Sequence, residues 1–375
     1  MTPREAFTIG WICALQEEYE AACAMLDEDL EGPEVAEKND RNTYFYGRIG
    51  QHLVVIGCLP SGRYGIAPAT RVAQDMMRSF PQIRFGLMVG IAGGAPTKEQ
   101  DIRLGDVVVS EPNGNSGGVI QYDRGKRTGQ FQRVGHLNAP PSVLLGALPE
   151  VRRRHNNPTK YGGVDEHLKA LSNDARFQRP REDRLFHQDT AHRDGNGCAE
   201  CDKDGLIERW PRASKRAFNV FYGTVASANS LMKNADERNM YAHEAGANAL
   251  CFEMEAAGLM NDFPCIVIRG ICNYSDAHKN DEWRYYAAAT AAAYAKELLC
   301  VVKPLRVTPT LISTMIAEIA ANLHNEIKSE KLIARLTELT LLPPPETISM
   351  LRDMETKEGH EIDTNTGNQF NSALY

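Results

Sequence analysis

The residues of this 375-residue chain best equipped for chemistry are acids placed where acids are costly. In "LCFEMEAAGLM", residues 250–260, Glu253 and Glu255 flank Met254 directly behind an apolar run and ahead of an alanine-rich stretch that reads as helix. A second acidic run, in "CALQEEYEAA" at 13–22, puts Glu17 and Glu18 just after another apolar segment. Buried carboxylates must be paired or hydrogen-bonded. They therefore serve either as negative charge at a helix N-terminus or as groups held for chemistry. In "VGIAGGAP", 89–96, the glycines Gly90, Gly93 and Gly94 let backbone approach a sugar or anion where side chains would block it. In "HQDTAHRDGNGCAEC", 187–201, Cys198 and Cys201 stand at C-x-x-C spacing with His187 and His192 upstream. These four could close a tetrahedral structural zinc site; a reduced surface pair fits the same residues.

These groups need a scaffold, and the pattern of the chain supplies one. Short β-rich runs at 7–15, 52–59, 83–96, 104–112, 219–229, 249–256 and 264–276 alternate with helical patterns such as "QEEYEAACAML", "APATRVAQDMMRSF" and the long "EWRYYAAATAAAYAKELLCVVKPL" at 282–305. Strands alternating with helices predict a mostly parallel or mixed α/β sheet covered on both faces. Ligands in such folds sit at the carboxyl ends of the strands. Two segments depart from the rhythm. Residues about 115–218 are polar and rich in Arg, His, Asn, Gly and Pro, and read as a long insertion. Residues 306–375 carry an amphipathic helical pattern broken at Pro343–Pro345 and a polar end, a helical and partly disordered tail after a domain spanning 1–305.

Composition bounds the function. With 42% hydrophobic and 24% charged residues the chain is globular and able to bury a sizeable core, and a net charge of −7 argues against nucleic acid as a partner. Most of the nine cysteines sit in apolar runs, as in a reduced compartment. No secretory start and no apolar run of membrane-spanning length is seen, so a cytoplasmic protein without membrane partners is expected.

Four separated stretches, "CALQEEYEAA", "VGIAGGAP...DIRLGDVVVS", "LCFEMEAAGL" and "VIRGICNYSD", resemble in order and spacing the nucleoside phosphorylase and nucleosidase superfamily. That superfamily includes purine and uridine phosphorylases and methylthioadenosine/S-adenosylhomocysteine nucleosidase. The resemblance covers roughly 5–303. It is greatest to the N-terminal modules of fungal NACHT-type and NB-ARC-type immune receptors, through "IRFGLMVGIAGG", "GGVIQYD" and "NDEWRYYAAATAAAYAKELL". It implies a three-layer fold, a central mixed sheet flanked by helices.

The resemblance also assigns roles. Glu255 would accept hydrogen bonds from ribose hydroxyls, with Met254 packed on the sugar and Glu253 beside them. Glu18 would be the general base on an attacking water. Gly93 would allow close approach to the sugar, and Leu231 and Met232 would lie where nucleosidases stack the base. The aspartate that attends purine N7 in the family corresponds to Asn273, which can donate a hydrogen bond but not a proton; Asp276 stands close enough in sequence to replace it. The phosphate-binding arginine of bacterial phosphorylases corresponds to Met88, which favours hydrolysis over phosphorolysis unless Arg63 or Arg71 substitutes. The basic clusters "RRRH", "RPREDR" and "WPRASKR" of the insertion would grip phosphates if they fold over the pocket, which suits ATP or ADP.

The reading is therefore a purine N-glycosidase cleaving an adenine nucleotide to adenine and ribose phosphate, in an immune or cell-death response. It requires no cofactor for the chemistry, with zinc only as a structural ion, and the family implies a homo-oligomer. A phosphate-dependent purine nucleoside phosphorylase and a non-catalytic nucleotide sensor are the alternatives.

Overall fold

Apolar and β-branched runs form strands, and the amphipathic segments between them form helices. A computed structural model describes residues 1–304, apart from 34–36, 129, 194–196, 199, 213–215, 217 and 244–246; the expected tail at 306–375 lies outside the described residues. The N-terminal half runs β1 (Ile9–Cys13), α1 (Gln16–Ala24), β2 (Glu28–Asp29), β3 (Tyr44–Ile49), β4 (His52–Cys58), α2 (Ile66–Ser79), β5 (Phe85–Gly94), β6 (Val107–Ser110), β7 (Val119–Gln121) and a hairpin of β8 (Gly125–Thr128) and β9 (Gln130–Arg133). Four short helices follow, α3 (Ser142–Leu145), α4 (Leu148–His155), α5 (Pro158–Tyr161) and α6 (Gly163–Leu168). Then come β10 (Val220–Ser227), α7 (Ala235–His243), β11 (Ala249–Glu253), β12 (Cys265–Asn273) and α8 (Arg284–Val301). β2 and β3 extend the strand series beyond what the sequence pattern predicts.

The described strands form a mixed sheet in the order β11-β10-β6-β12-β5-β1-β4-β3-β2, with β7 against β10. β1, β4, β5 and β12 run parallel to one another, whereas β12 meets β6 antiparallel. Buried throughout apart from Ile91, β5 has the near-continuous apolar sequence of a central parallel strand. Its last two residues, Gly93 and Gly94, also pair antiparallel with β11 at Phe252 and Cys251, so β11, β10, β6, β12 and β5 close on themselves. This is the expected central mixed sheet with helices packed on it.

α2 presents Ala69, Val72, Ala73 and Met76 to the core at helical spacing. α8 is buried on nearly every side, because the sheet covers one face and the polar stretch covers another. Leu144, Leu148, Val151, Val164, Leu171 and Phe177 of that stretch share a buried cluster with Ala288, Ala291, Ala295 and Leu298 of α8. The stretch read as a long insertion thus contributes, through its described residues, short helices and part of the core. Its apolar residues are too sparse to show a period along the chain, and they become a contiguous surface only when folded.

The alanine-rich segment after Glu255 differs from expectation as well. Ala256–Gly258 is a single 3-10 turn and no α-helix follows. Gly258 lies so close to α2 that a Cβ there would stand 2.4 Å from the Ile66 carbonyl oxygen, and Pro264 cannot continue a helix.

Candidate active site

β1, β5, β11 and β12 end at one cavity of about 560 Å³, which β1 reaches through Ala14 and Leu15 just beyond its end. The site is therefore at the carboxyl ends of the strands, as the sheet topology requires. Three acids of the two sequence motifs meet there. Glu18, Glu253 and Glu255 all line the cavity, each less than a tenth exposed.

Backbone donors hold each of them. The Glu18 carboxylate accepts from the N–H groups of Ala14 at 2.7 Å, Leu15 at 3.1 Å and Ile91 at 2.8 Å. Two of these donors precede α1, so the side chain folds back over its own helix N-terminus; the third comes from β5. Glu253 accepts from the N–H groups of Glu255 at 3.1 Å and Ala256 at 3.0 Å, which caps the 3-10 turn. Glu255 accepts from Gly65 N–H at 3.1 Å, and Gly65 has φ +107, a conformation only glycine adopts without strain.

Arg269 of β12 is the buried cation among the three acids. It is fully buried, ion-pairs with Glu253 and lies 3.6 Å from Glu255. Its β5 neighbour in the sheet is Gly90, where a Cβ would stand 2.3 Å from Glu18 Oε1 and 2.5 Å from the Arg269 guanidinium. Gly90 thus leaves room for both charges. One cation cannot neutralise three anions. Burial, together with Glu253 and Glu18, pushes the Glu255 carboxyl up to about 7 against the pull of Arg269 and the Gly65 N–H. Burial also raises Glu18, although Arg269 and three N–H donors oppose it. A carboxylate raised toward neutrality is a better proton acceptor than an ordinary one.

Opposite Gly93, β12 shifts register and ends at Asn273. A Cβ on Gly93 would stand 2.1 Å from Ser275 Oγ and 2.6 Å from Asn273 Oδ1, so the glycine is required by the crossing of these two chains. Ser275 adopts φ +55, and its N–H donates to Asn273 Oδ1 at 2.9 Å. That bond fixes the amide oxygen, and the NH₂ group, which donates to Cys272 Sγ at 3.1 Å, keeps its second hydrogen as the donor Asn273 can offer to a ligand.

The turn at Ser275 also decides the place of Asp276, which does not line this cavity. Its carboxylate accepts from His278 N–H at 3.0 Å and lies 3.7 Å from Arg238, beside a second cavity that includes His187, Lys233 and Asn234. Asp276 thus faces that second cavity and not the one lined by Glu18, Glu253 and Glu255.

Met254, Met232, Leu231 and Gly93 line the cavity, with Met232 buried and Leu231 half exposed at its rim. Arg63 does not. It sits exposed in the turn closed by its N–H to the Pro60 carbonyl, and Arg71 is exposed on α2. Met88 is a fully buried core residue.

The insertion arginines are also absent from the cavity lining. Arg152 pairs with Glu111 and lies 3.7 Å over the Tyr222 ring, Arg153 and Arg154 pair with Glu150, Arg209 with Asp183, and Arg212 with Asp106. Arg152 and Arg212 thereby tie the insertion to the sheet side, whereas the pairs with Glu150 and Asp183 lie within the insertion itself.

The positive charge at the cavity comes instead from Lys279 and Arg284, which the sequence reading missed. Arg284 is paired with Glu17 at 2.6 Å. Lys279 has no carboxylate within ion-pair distance among the described residues, and burial lowers its ammonium. Phe252, next to Glu253, is a further lining residue. Its position immediately before two acids at a strand end was the available signal.

Of the metal set, His192, Cys198 and Cys201 come together with their ligand atoms within 4.8 Å of one another. His187 is elsewhere. Its N–H donates to the Gly205 carbonyl and it lines the Asp276 cavity, because Phe186 takes the inward position of that short β-bridge with Leu206.

Residues 8–300 match the family described as "Phosphorylase superfamily", and the chain belongs to it. Among particular relatives, a nucleotide-binding leucine-rich repeat (NLR)-like protein of Hyaloscypha variabilis is 45% identical over 339 residues, covering 90% of this chain and 33% of its own length. The chain thus spans about a third of that relative. A 5'-methylthioadenosine/S-adenosylhomocysteine nucleosidase of Mycobacterium bovis is 23% identical over 307 residues, covering 78% of this chain and 96% of its own. Among solved structures, the nucleosidase of the same description from Helicobacter pylori, complexed with a pyrrolo[3,2-d]pyrimidine pyrrolidinol, shares the fold with a TM-score of 0.51 and 15% identity, covering 79% of this chain and 98% of that one. No helix among the described residues is long and apolar enough to cross a membrane.

Proposed function

We propose that the protein hydrolyses the N-glycosidic bond of a purine nucleotide, with an adenine nucleotide such as ATP or ADP as substrate. The observation that carries this reading is the buried carboxylate cluster, in which Glu18 is held by three backbone N–H groups and made more basic by burial. In the reaction, Glu18 takes a proton from water as the water oxygen bonds to C1′. The C1′–N9 bond breaks with its electron pair going to the purine. Glu255 and Glu253 lie where they can accept from ribose hydroxyls and stabilise the oxocarbenium-like sugar, as fixed dipoles and charges do in a water-poor site. Asn273 donates to the purine without transferring a proton; the base is protonated by solvent.

Replacing Asn273 by Asp keeps the acceptor for Ser275 N–H and adds an acid. Turnover of Asn273→Asp is expected to rise by about 10²-fold, the lower end of general acid catalysis. An unchanged rate would show that this position does not attend the leaving base.

Lys279 supports a phosphorylated substrate. A half-buried ammonium without a carboxylate partner is a costly feature in a cavity for a neutral nucleoside, and a compensated one beside phosphates. The protein is to be incubated with ATP, ADP, AMP, adenosine, inosine and methylthioadenosine, with and without inorganic phosphate, and the products separated by chromatography. Adenine released without phosphate supports the hydrolase; release only with phosphate identifies a phosphorylase; binding without release identifies a sensor. Lys279→Gln is expected to raise KM for ATP about tenfold or more while leaving that for adenosine within about twofold, consistent with loss of one charged hydrogen bond. Equal effects on both would refute a phosphate contact. The similarity to an NLR-like protein supports a role in an immune or cell-death response, as one module of a larger protein.

A further inference from the structure

The His192, Cys198 and Cys201 cluster has no part in the reading above, yet it lies against the loop that carries Asn273, Ser275 and Lys279. Phe186, Cys198, Cys201 and Leu206 form their own buried cluster within the insertion. Cys198 Sγ donates to the His278 carbonyl at 3.4 Å, and Asn280 Nδ2 donates to Cys198 Sγ at 3.8 Å and to the His278 carbonyl at 3.3 Å. Cys198 thus bonds the insertion to the loop.

Two observations point to a metal. The ligand atoms of His192, Cys198 and Cys201 lie within 4.8 Å of one another. Zinc–sulfur and zinc–nitrogen bonds of about 2.3 and 2.0 Å in a tetrahedron ask for ligand separations of about 3.5–4 Å, so side-chain shifts of about 1 Å would bring these three to ligating distance, and His278, outside that group, must turn further to join them. Independently, His278 is buried, and its Nε2 has no hydrogen-bond partner among the described residues. Its ring centre lies 5.3 Å from that of His192. Two imidazoles on one tetrahedral zinc place their ring centres roughly 5 Å apart. Phe186 stacks on the His278 ring at 4.0 Å and fixes its plane.

We propose that His192, Cys198, Cys201 and His278 bind one structural zinc ion, with His278 rather than His187 as the fourth ligand. A Cys₂His₂ set closes the coordination shell, which suits a structural and not a catalytic ion. The Asn280 amide donates to a ligand sulfur, as outer partners of metal thiolates do. The ion joins the insertion to residue 278, beside Lys279 and five residues after Asn273. It therefore pins one wall of the cavity, a consequence that rests on that cavity being the substrate site.

The test uses the full chain and reads metal directly. Protein grown with zinc supplied and purified without chelator is expected to contain about one zinc per chain by elemental analysis, as one such site demands. Protein stripped by chelator and loaded with cobalt(II) should show the absorption of a tetrahedral cobalt–thiolate centre, and adding zinc to stripped protein should raise its melting temperature. Cys198→Ser with Cys201→Ser should abolish the cobalt spectrum, His278→Ala should weaken zinc binding about tenfold or more, and His187→Ala should change neither. The wild-type cobalt spectrum keeps the proposal testable if the cysteine variants fail to fold. Absence of bound zinc together with absence of the cobalt–thiolate spectrum overturns it. So does full zinc content in the double cysteine variant. None of these readouts depends on the activity, so failure of the hydrolase reading and failure of the zinc site are separable.

Discussion

Glu18→Gln is expected to lower kcat by about 10²–10⁴-fold, the range general base catalysis supplies, while substrate affinity changes by no more than about threefold. The glutamine is nearly isosteric, and its single amide oxygen can still accept from part of the Ala14, Leu15 and Ile91 N–H set. What it cannot do is take a proton from water. Folding should survive, because Glu18 is one of three acids sharing a single buried cation, and burial already disfavours its charge. Removing that charge leaves Arg269 to Glu253 and Glu255. Single-turnover rates and ligand binding measured on the same preparation, with thermal melting alongside, separate chemistry from binding and folding. Turnover near the wild-type rate would sink the assignment of Glu18 as the base.

Arg269→Met is expected to destabilise the protein by about 3–5 kcal/mol, the cost of leaving buried charge without its partner. Methionine fills much of the same space, so the loss is electrostatic rather than a cavity. The pH dependence identifies it. In the wild type the Glu255 carboxyl is raised from its ordinary 4.5 to about 7, first by burial and then by Glu253. A group raised on folding contributes stability that is fully present below its unfolded value and is lost as pH rises through its folded value. Without Arg269 its pull on Glu255 and Glu18 is gone, and both rise further. The gap between variant and wild type should therefore be small near pH 5 and large near pH 8, in denaturant melts at matched ionic strength. A gap that is constant across that window would show that Arg269 contributes packing and not charge.

Much of this molecule is legible in the chain. The alternation of β-rich and helical runs anticipates β1, β4, β5, β6, β10, β11 and β12 with α1, α2 and α8 close to their observed bounds. The three acids, the glycine turn and Asn273 stand out because each sits at a strand end or within a few residues beyond one, where local pattern and position coincide. Arg269 was not recognisable as the hub, since its role depends on three carboxylates from segments that are separate in sequence. The insertion misled for the opposite reason. Its arginines look like phosphate ligands in a list of residues, but in the fold each of several finds a nearer acid, such as Glu111, Glu150, Asp106 or Asp183.

Sequence alone determined the sheet class, the strand ends that carry Glu18, Glu253, Glu255 and Asn273, and the family, because hydrophobic period and motif spacing are properties of short segments. Tertiary structure alone decided which charges face the cavity. It turned Asp276 away through the left-handed Ser275, left Lys279 without an ion-pair partner among the described residues, gathered three acids on Arg269, and set His278 beside His192 in place of His187. The physical reason is that a charge or a ligand atom acts over a few ångströms in space, and distance along the chain does not fix which neighbours it meets there.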